Sequence, residues 1–308
     1  MERSARIFVA GHLGLLGSAL VRRLSAEGYD NLILRSHDEL NLTDQSGVER
    51  MFNRERPEYV FLAAARVGGI QANVAKPAEF IRENLLIQTS VIHAASVFGT
   101  RRLLFFGSTC LYPKVCPQPM REEFILSGPM EPTSEAYSTA KLAGLVMCDA
   151  YSRQHGAEFL TVIPSTLYGP HDNFDPDGGH VLSSLVRRFH EARNSDLMAV
   201  WGSGKPIREF LYSDDLAEAC LLLMNLKTPL PKSPINVGSG EGVSIGQLAA
   251  AIGSAVSFNG KISFDLTKPD GAPAKVLDST RMRDLGWSPR TRLGEGIRKV
   301  YEWYQTQN

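Results

Sequence analysis

The stretch Ile7-Phe8-Val9-Ala10-Gly11-His12-Leu13-Gly14-Leu15-Leu16-Gly17 decides the fold that the sequence predicts. It begins with a short apolar run that ends at a glycine, as a buried parallel strand does. A helical pattern follows over residues 18–24. A strand, a glycine-rich turn and a helix in this order predict a βαβ unit whose glycines let the backbone approach a pyrophosphate at the helix N-terminus. The GxxGxxG spacing is also compatible with a tight strand–helix turn that binds no ligand.

Further apolar runs extend this unit into an α/β fold, a Rossmann-like doubly wound parallel sheet. These runs are Asn31–Leu34, Tyr59–Leu62, Leu103–Phe106 and Phe159–Ile163. After Pro164 the alternation of helices and strands loosens into turn-rich sequence. We therefore expect a dinucleotide-binding domain over residues 1–164 and a smaller α/β substrate domain over 165–308, with segments near 208–238 returning to the first domain.

Composition narrows the classes of partner. The 308 residues carry 33 Lys and Arg against 33 Asp and Glu, so net charge gives no reason to expect binding to nucleic acid or to an anionic membrane. The four cysteines form no CxxC pair and no cluster with histidines, and we expect neither a metal site nor a disulfide scaffold. No signal-type segment and no run of eighteen apolar residues occurs. We expect a soluble, cytoplasmic protein.

The residues that follow the second and third strands bear on the cofactor. An acidic residue after the second strand grips ribose hydroxyls in NAD sites, whereas basic groups accommodate a 2′-phosphate. Arg35 and His37 stand there and favour NADP. Asp44 either hydrogen-bonds the adenine amine or caps the next helix. The small residue Ala64, after the third strand, leaves room for the cofactor.

A second group of polar residues follows the fourth strand. Ser108 lies at its carboxyl end, where a hydroxyl can polarise a substrate carbonyl. Tyr137 and Lys141 are four residues apart in a helical pattern and project from the same side. An ammonium beside a phenol favours the ionised form and makes the phenol a usable proton donor near neutral pH. We interpret Asn84, in the preceding helix, as structural.

Aromatic and cationic residues recur in the C-terminal half. Arg188 lies in a helical pattern, and Trp201 and Arg208 flank a loop of Gly and Pro residues. An aromatic ring to stack on and cations to pair with suit a nucleotide diphosphate. The alternative is a solvated, charged loop.

The combination of Gly11, Gly14, Gly17, Ser108, Tyr137 and Lys141 resembles the extended short-chain dehydrogenase/reductase family. Longer segments are similar to its branch of GDP-sugar epimerase/reductases. They are Val9–His12, Leu62–Ile70, Ser108–Pro113, Leu167–Phe174, Val200–Gly204 and Lys268–Gly271.

The resemblance implies NADPH-dependent 3,5-epimerisation and 4-keto reduction of GDP-4-keto-6-deoxy-D-mannose. In this interpretation Cys110 and His180 exchange the protons on carbons 3 and 5, and Tyr137 protonates the oxygen on carbon 4. Ser108 binds that oxygen, and Lys141 lowers the tyrosine pKa and binds the nicotinamide ribose. The implied NADP contacts are Gly11, Gly14, Leu16, Gly17, Arg35, His37, Asp44, Ala64, Tyr137, Lys141, Pro164 and His180. The implied contacts to the guanine diphosphate are Arg188, Trp201, Arg208 and Lys275.

Three positions depart from the pattern of this branch. Leu13 and His37 stand where relatives often carry arginine, which weakens the 2′-phosphate site and allows for tolerance of NADH. Ser165-Thr166 replaces Thr-Asn, so an asparagine that would touch the substrate is Thr166. The alternatives are therefore a sibling enzyme for another GDP-4-keto-deoxy-sugar, of the GDP-L-colitose type or a heptose, and a 4-keto reductase without epimerisation.

Two further interpretations conflict with particular residues. A non-catalytic protein on the same fold conflicts with the intact Ser108, Tyr137 and Lys141. A dehydratase would carry an acidic pair where Cys110-Leu111 stands. The family analogy also implies a homodimer that packs through the helices near Asn84–Phe98 and Tyr137–Arg153, with Ala143 and Gly144 allowing close approach.

Overall fold

The computed structural model describes residues 1–176, 178–268 and 270–307. Asp177 in the turn-rich stretch before His180, Pro269 in the segment Lys268–Gly271, and Asn308 lie outside the described residues. The strands are β1 Ile7–Ala10, β2 Leu32–Ile33, β3 Tyr59–Leu62, β4 Arg102–Phe106, β5 Glu158–Pro164, β6 Thr166–Tyr168, β7 Leu197–Trp201, β8 Ile207–Tyr212, β9 Ile235–Val237, β10 Gly242–Ser244, β11 Lys261–Asp265 and β12 Ala274–Lys275.

Ten α-helices occur in the same described ranges. They are α1 Leu15–Ala26, α2 Gln45–Glu55, α3 Ile70–Ala75, α4 Pro77–Val97, α5 Glu135–His155, α6 Val181–Glu191, α7 Ser213–Met224, α8 Ile245–Ala255, α9 Thr280–Asp284 and α10 Leu293–Gln307. Short 3₁₀ helices cover Thr109–Leu111, Glu122–Phe124 and Pro132–Ser134.

A six-stranded parallel sheet organises the N-terminal half. Its strand order is β2-β1-β3-β4-β5-β9, and each adjacent pair is parallel. The chain leaves β1 toward β2 and returns to β3 on the other side of β1. That reversal opens a crevice at the carboxyl ends of β1 and β3, where doubly wound sheets bind ligands. The predicted Rossmann-like α/β fold is confirmed.

Helices cover both faces of this sheet. Alternate side chains of the strands pack on one face with α1 and α7, as Val9 does with Leu20 and Leu216. The other set, such as Phe105, packs with α2, α4 and α5. Strand β9 and helix α7 therefore belong to the core of the main sheet. In the sequence they come after β6 and β8, which belong to a different sheet.

The second core lies around β8, which pairs with β6, β10 and β12. Helices α6, α8 and α10 pack against it, with Phe189, Ile252 and Val300 fully buried. The parallel pair β7 and β11 lies beside them. Because β6 leaves β5 directly, the carboxyl edge of the main sheet faces this second unit.

The surroundings of Gly144 differ from the expectation that it lies at a contact between two subunits. A Cβ at this residue would lie 2.4 Å from Phe105 Cζ on β4 and 2.9 Å from Gln88 Oε1 on α4. The missing side chain thus lets α5 approach the sheet and α4 of its own chain. It does not serve the approach of a second subunit, because Gly144 is buried within this one.

None of the helices described here is both long and apolar enough to cross a membrane.

Candidate active site

The glycine-rich turn between β1 and α1 has the geometry of a close-approach loop. Gly11 has φ +84°, and a Cβ there would lie 2.8 Å from the backbone of Ala64. A Cβ on Gly17 would lie 2.0 Å from the Gly11 carbonyl oxygen. Gly14 is exposed and begins α1 with no side-chain cap, and the first turn holds no acidic residue. The backbone amides of Leu15, Leu16 and Gly17 at this helix start therefore suit a pyrophosphate.

The side chains after β2 carry both signs of charge. Arg35 Nη2 lies 3.0 Å from Glu55 Oε1, and Arg35 Nη1 donates to the Leu34 carbonyl. His37 is exposed. Glu39, which sequence reasoning missed, accepts a 2.8 Å hydrogen bond from the Ser36 amide, and this bond lowers its pKa. A carboxylate here would oppose the 2′-phosphate that Arg35 and His37 predict.

Asp44 is the residue before the first turn of α2. Its side chain makes no capping hydrogen bond, and its carboxylate lies 3.6 Å from Arg50 Nη2. The sequence left open an adenine contact or a helix cap. A capping hydrogen bond is not formed, although the residue holds the N-cap position.

The end of β4 brings three predicted residues together. The Cys110 amide donates a 3.2 Å hydrogen bond to Ser108 Oγ. Burial raises the pKa of the Tyr137 phenol, the nearby Cys110 raises it further, and an interaction with Ser108 partly opposes the shift. The ring of Tyr137 meets Phe80 edge-to-face at 6.3 Å. Ser108, Cys110 and Tyr137 thus form one group of half-buried side chains at the end of β4.

Lys141 behaves differently from the sequence expectation. Its Nζ donates a 2.9 Å hydrogen bond to the Phe106 carbonyl and lies 4.7 Å from the Phe105 ring centroid. Burial lowers its pKa to about 7. The expected lowering of the Tyr137 pKa is therefore not seen in this structure, since burial of the phenol outweighs any effect of the lysine.

Asn84 supports the loop between β3 and α3, as its structural interpretation predicts. Its Oδ1 accepts from the Arg66 amide at 3.0 Å, and its Nδ2 donates to the Arg66 and Phe80 carbonyls. At the other end of this loop, the Gly69 amide donates to the Gly178 carbonyl at 3.1 Å. The loop thereby joins the main sheet to the segment that precedes His180.

His180 is the residue before the first turn of α6. Its Nδ1 lies 3.6 Å from Asp172 Oδ1. The Asp172 carboxylate raises the pKa of the imidazole, against the opposite effect of burial. Sequence reasoning singled out His180 but missed Asp172.

The residues expected at the guanine diphosphate form two neighbouring groups. The Arg188 guanidinium and Lys268 Nζ lie 5.4 and 5.5 Å from the Trp201 ring centroid. Arg208 on β8 lies opposite Lys275 on β12 in the register of these parallel strands. Pro164, predicted at the cofactor, ends β5 in the main sheet opposite Val237 of β9.

Asp270 links these two groups. It accepts hydrogen bonds from the Ser203 amide and hydroxyl at 2.8 and 2.6 Å. Burial lowers the pKa of Arg208, whereas Asp270 and Cys110 are near enough to oppose that shift. Arg208 therefore interacts electrostatically with the same cysteine as Tyr137. In the sequence, Lys268 and Asp270 were noted only as part of the segment that resembles the family, and no role was predicted for either.

Comparison with known proteins identifies the wider group. Residues 7–238 match the family model described as the NAD dependent epimerase/dehydratase family. The chain is 50% identical over 305 residues to GDP-L-fucose synthase 1 of Arabidopsis thaliana, with 98% of this chain and 94% of that protein covered.

Two solved structures show the same architecture over the whole chain. A GDP-6-OMe-4-keto-L-xylo-heptose reductase from C. jejuni aligns with a TM-score of 0.93 and 36% identity, covering 100% of this chain and 99% of the other. A GDP-L-fucose synthetase from Naegleria fowleri bound to NADP aligns with a TM-score of 0.90 and 28% identity, covering 100% and 96%.

Proposed function

Because the chain belongs to the NAD-dependent epimerase/dehydratase family, we propose that it catalyses NADPH-dependent conversion of GDP-4-keto-6-deoxy-D-mannose to GDP-L-fucose. The reaction combines 3,5-epimerisation with 4-keto reduction. Its support is the identity of about half the residues to a GDP-L-fucose synthase along almost the whole chain. The observation that carries it is the grouping at the end of β4, where the Cys110 amide donates a 3.2 Å hydrogen bond to Ser108 Oγ and both residues act on the pKa of the Tyr137 phenol.

The proposed proton chemistry uses two side chains. The 4-keto group acidifies the protons on carbons 3 and 5, so a base can remove each one and leave an enolate. Cys110 and His180 act as the acid/base pair that takes each proton and returns one from the opposite face. A thiol and an imidazole both exchange protons near neutral pH.

The proposed reduction is completed at the end of β4. NADPH, when bound, supplies the hydride for carbon 4. Tyr137 donates its proton to the oxygen on that carbon, and the Ser108 hydroxyl holds the same oxygen by a hydrogen bond. Burial keeps the phenol protonated beforehand, which suits a donor. Lys141 would hold the nicotinamide ribose.

The cofactor contacts proposed here are the amides at the start of α1 together with Arg35, His37, Asp44 and Ala64. The relative from Naegleria fowleri is bound to NADP, which supports NADP for this chain. Glu39 and the exposed Leu13 favour some tolerance of NADH, because neither neutralises a 2′-phosphate. The ratio of kcat/KM with NADPH to that with NADH tests this, and E39Q is expected to raise the ratio.

Two substrate alternatives have specific support. Thr166 on β6 replaces an asparagine, and a structural relative of 36% identity reduces a GDP-heptose. A sibling reaction on another GDP-4-keto sugar, of the GDP-L-colitose or heptose type, therefore remains the second candidate. A 4-keto reductase without epimerisation is the other, and the juxtaposed Cys110 argues against it.

We also propose a cytoplasmic homodimer. Val97 on α4 and Val146 on α5 are 60% and 47% exposed, and Ala143 is exposed beside them. These residues, in place of the buried Gly144, would form the contact. Elution at monomer mass in gel filtration would refute the dimer.

One incubation tests the proposed function. GDP-4-keto-6-deoxy-D-mannose and NADPH are mixed with the protein in deuterated water, and the product sugar is examined for configuration and deuterium. We expect NADPH oxidation, deuterium at carbons 3 and 5, and the L-fucose configuration. Oxidation without deuterium would leave a simple reductase, and no turnover would require a panel of other GDP-4-keto sugars.

A pair of cysteine variants provides the matched control. Cys116 is half-buried six residues after Cys110, and burial raises its pKa. C110S is expected to lower the rate of deuterium incorporation by about 10²-fold or more. C116S is expected to leave that rate unchanged.

A further inference from the structure

The Asp172 carboxylate is buried next to a proposed acid/base residue. Its side chain is 4% exposed, and Oδ1 lies 3.6 Å from His180 Nδ1. The Asn173 amide donates to the same Oδ1 at 2.8 Å, and the Ser183 hydroxyl donates to Oδ2. Two donors therefore hold the carboxylate in place, and the imidazole faces it.

The imidazole is oriented with one nitrogen inward. Nδ1 is fully buried and makes no hydrogen bond within the described part of the chain, although the His180 side chain as a whole is 40% exposed. The exposed part of the ring therefore lies away from the Nδ1 corner. At 3.6 Å the carboxylate contact is an ion-pair distance, longer than a normal hydrogen bond.

The segment that carries Asp172 is held by α10. The rings of His171 and Phe174 lie 5.1 and 5.9 Å from the Trp303 ring, and Phe174 lies 4.9 Å from Tyr304. A Cβ at Gly179 would lie 2.4 Å from the Asn173 carbonyl oxygen, so the turn before His180 is tight. Packing on both sides thus fixes the spacing between Asp172 and His180.

We propose that Asp172 is the positioning residue of His180, holding the proton on Nδ1 so that Nε2 exchanges protons with the substrate. The role in catalysis rests on the proposed function, whereas the pairing itself does not. A buried carboxylate beside an imidazole fixes the tautomer and stabilises the imidazolium.

The charges around His180 agree with this pairing. The loop carries Asp172 and Asp175, and the adjoining helix α6 carries Arg187 and Arg188. Asp172 raises the pKa of His180, while Asp175 acts on Arg187. Because the Asp172 carboxylate favours the charged imidazole, removing its charge lowers the pKa of His180.

The direct test is an NMR titration of ¹⁵N-histidine-labelled wild-type protein, with H180N used for assignment. We expect a His180 pKa above the ordinary value of about 6.5 and a neutral form protonated on Nδ1. A pKa at or below that value, or a neutral form protonated on Nε2, would overturn the proposal. This result is independent of whether the protein turns over any sugar.

Variants then link the pairing to catalysis. D172N should lower the His180 pKa, because the carboxylate that favours the charged ring loses its charge. It should also lower deuterium incorporation at least tenfold, since a positioned acid/base supplies about 10²–10⁴-fold. D172E, which keeps the charge, should retain a raised pKa. D175N, the same change on the same loop, should leave the pH profile of deuterium incorporation in place.

The outcomes separate three cases. A uniform loss of rate by D172N with an unmoved pH profile would reduce Asp172 to a structural residue and overturn the proposal. If D172N fails to fold, the wild-type titration decides. If wild-type protein incorporates no deuterium but His180 titrates as expected, the proposed function fails while the pairing stands.

Discussion

Tyr137 and His180 are held in place by different physical means. Tyr137 lies where α5 packs on the six-stranded sheet, and burial raises its pKa. His180 lies at the end of a loop, where one carboxylate raises its pKa against the effect of burial. The first residue thus depends on the packing of a core, and the second on a few contacts to α6 and α10. Changes in the two regions should therefore have separable effects.

The largest expected effect comes from the phenol. Y137F removes the proposed proton donor and should lower NADPH oxidation by about 10²–10⁴-fold. Y151F is the matched control, because Tyr151 lies on the same helix and its hydroxyl contacts His93 at 2.8 Å. Wild-type rates in Y137F would remove Tyr137 from the mechanism.

The buried lysine should make stability depend on pH. Its pKa falls from 10.5 to about 7 on folding, so between these values the unfolded chain binds the extra proton. The free energy of unfolding of wild type should therefore rise with pH across this window relative to K141M, by a few kcal/mol. Denaturant titrations at several pH values measure this, with exposed Lys261 changed in K261M as control. Parallel curves for wild type and K141M would contradict it.

Glycine substitutions probe the packing of the core region. G144A would place a Cβ 2.4 Å from Phe105, and we expect a loss of about 1–3 kcal/mol in the free energy of unfolding. G294A on α10 meets no atom within 4 Å and should be neutral or up to about 1 kcal/mol stabilising. Equal melting temperatures for the two variants would show that α5 can shift without cost.

The smallest effect should be local to the loop. W303A removes the ring beside His171 and Phe174. It should lower the hydrogen-exchange protection of residues 171–175 by about tenfold, or ~1.4 kcal/mol. Protection of β4 should stay unchanged. Loss of protection in both regions would mean that they open as one unit.

Local patterns explain why much of the fold was predictable. The apolar run before Gly11 and the glycines after it encode a strand, a turn and a helix within neighbouring residues. The position of Ser108 was predictable for a similar reason, because it follows a strand that the sequence marks by a continuous apolar run.

Contacts between distant residues were not predictable. Lys141 binds a carbonyl 35 residues away, so its helical spacing from Tyr137 did not reveal its partner. Asp172 meets His180 across a loop with no periodic pattern. The neighbours of Gly144 depend on which face of α5 packs on the sheet, and only the folded structure shows that face.

We propose that proton exchange at carbons 3 and 5 and reduction at carbon 4 use separate side chains. Incubating Y137F with GDP-4-keto-6-deoxy-D-mannose and NADPH in deuterated water tests it most directly, with mass spectrometry of the recovered keto sugar. We expect deuterium at carbons 3 and 5 while NADPH stays unoxidised. A recovered sugar without deuterium, from folded Y137F under conditions where wild type incorporates it, would show that Tyr137 is needed for both steps.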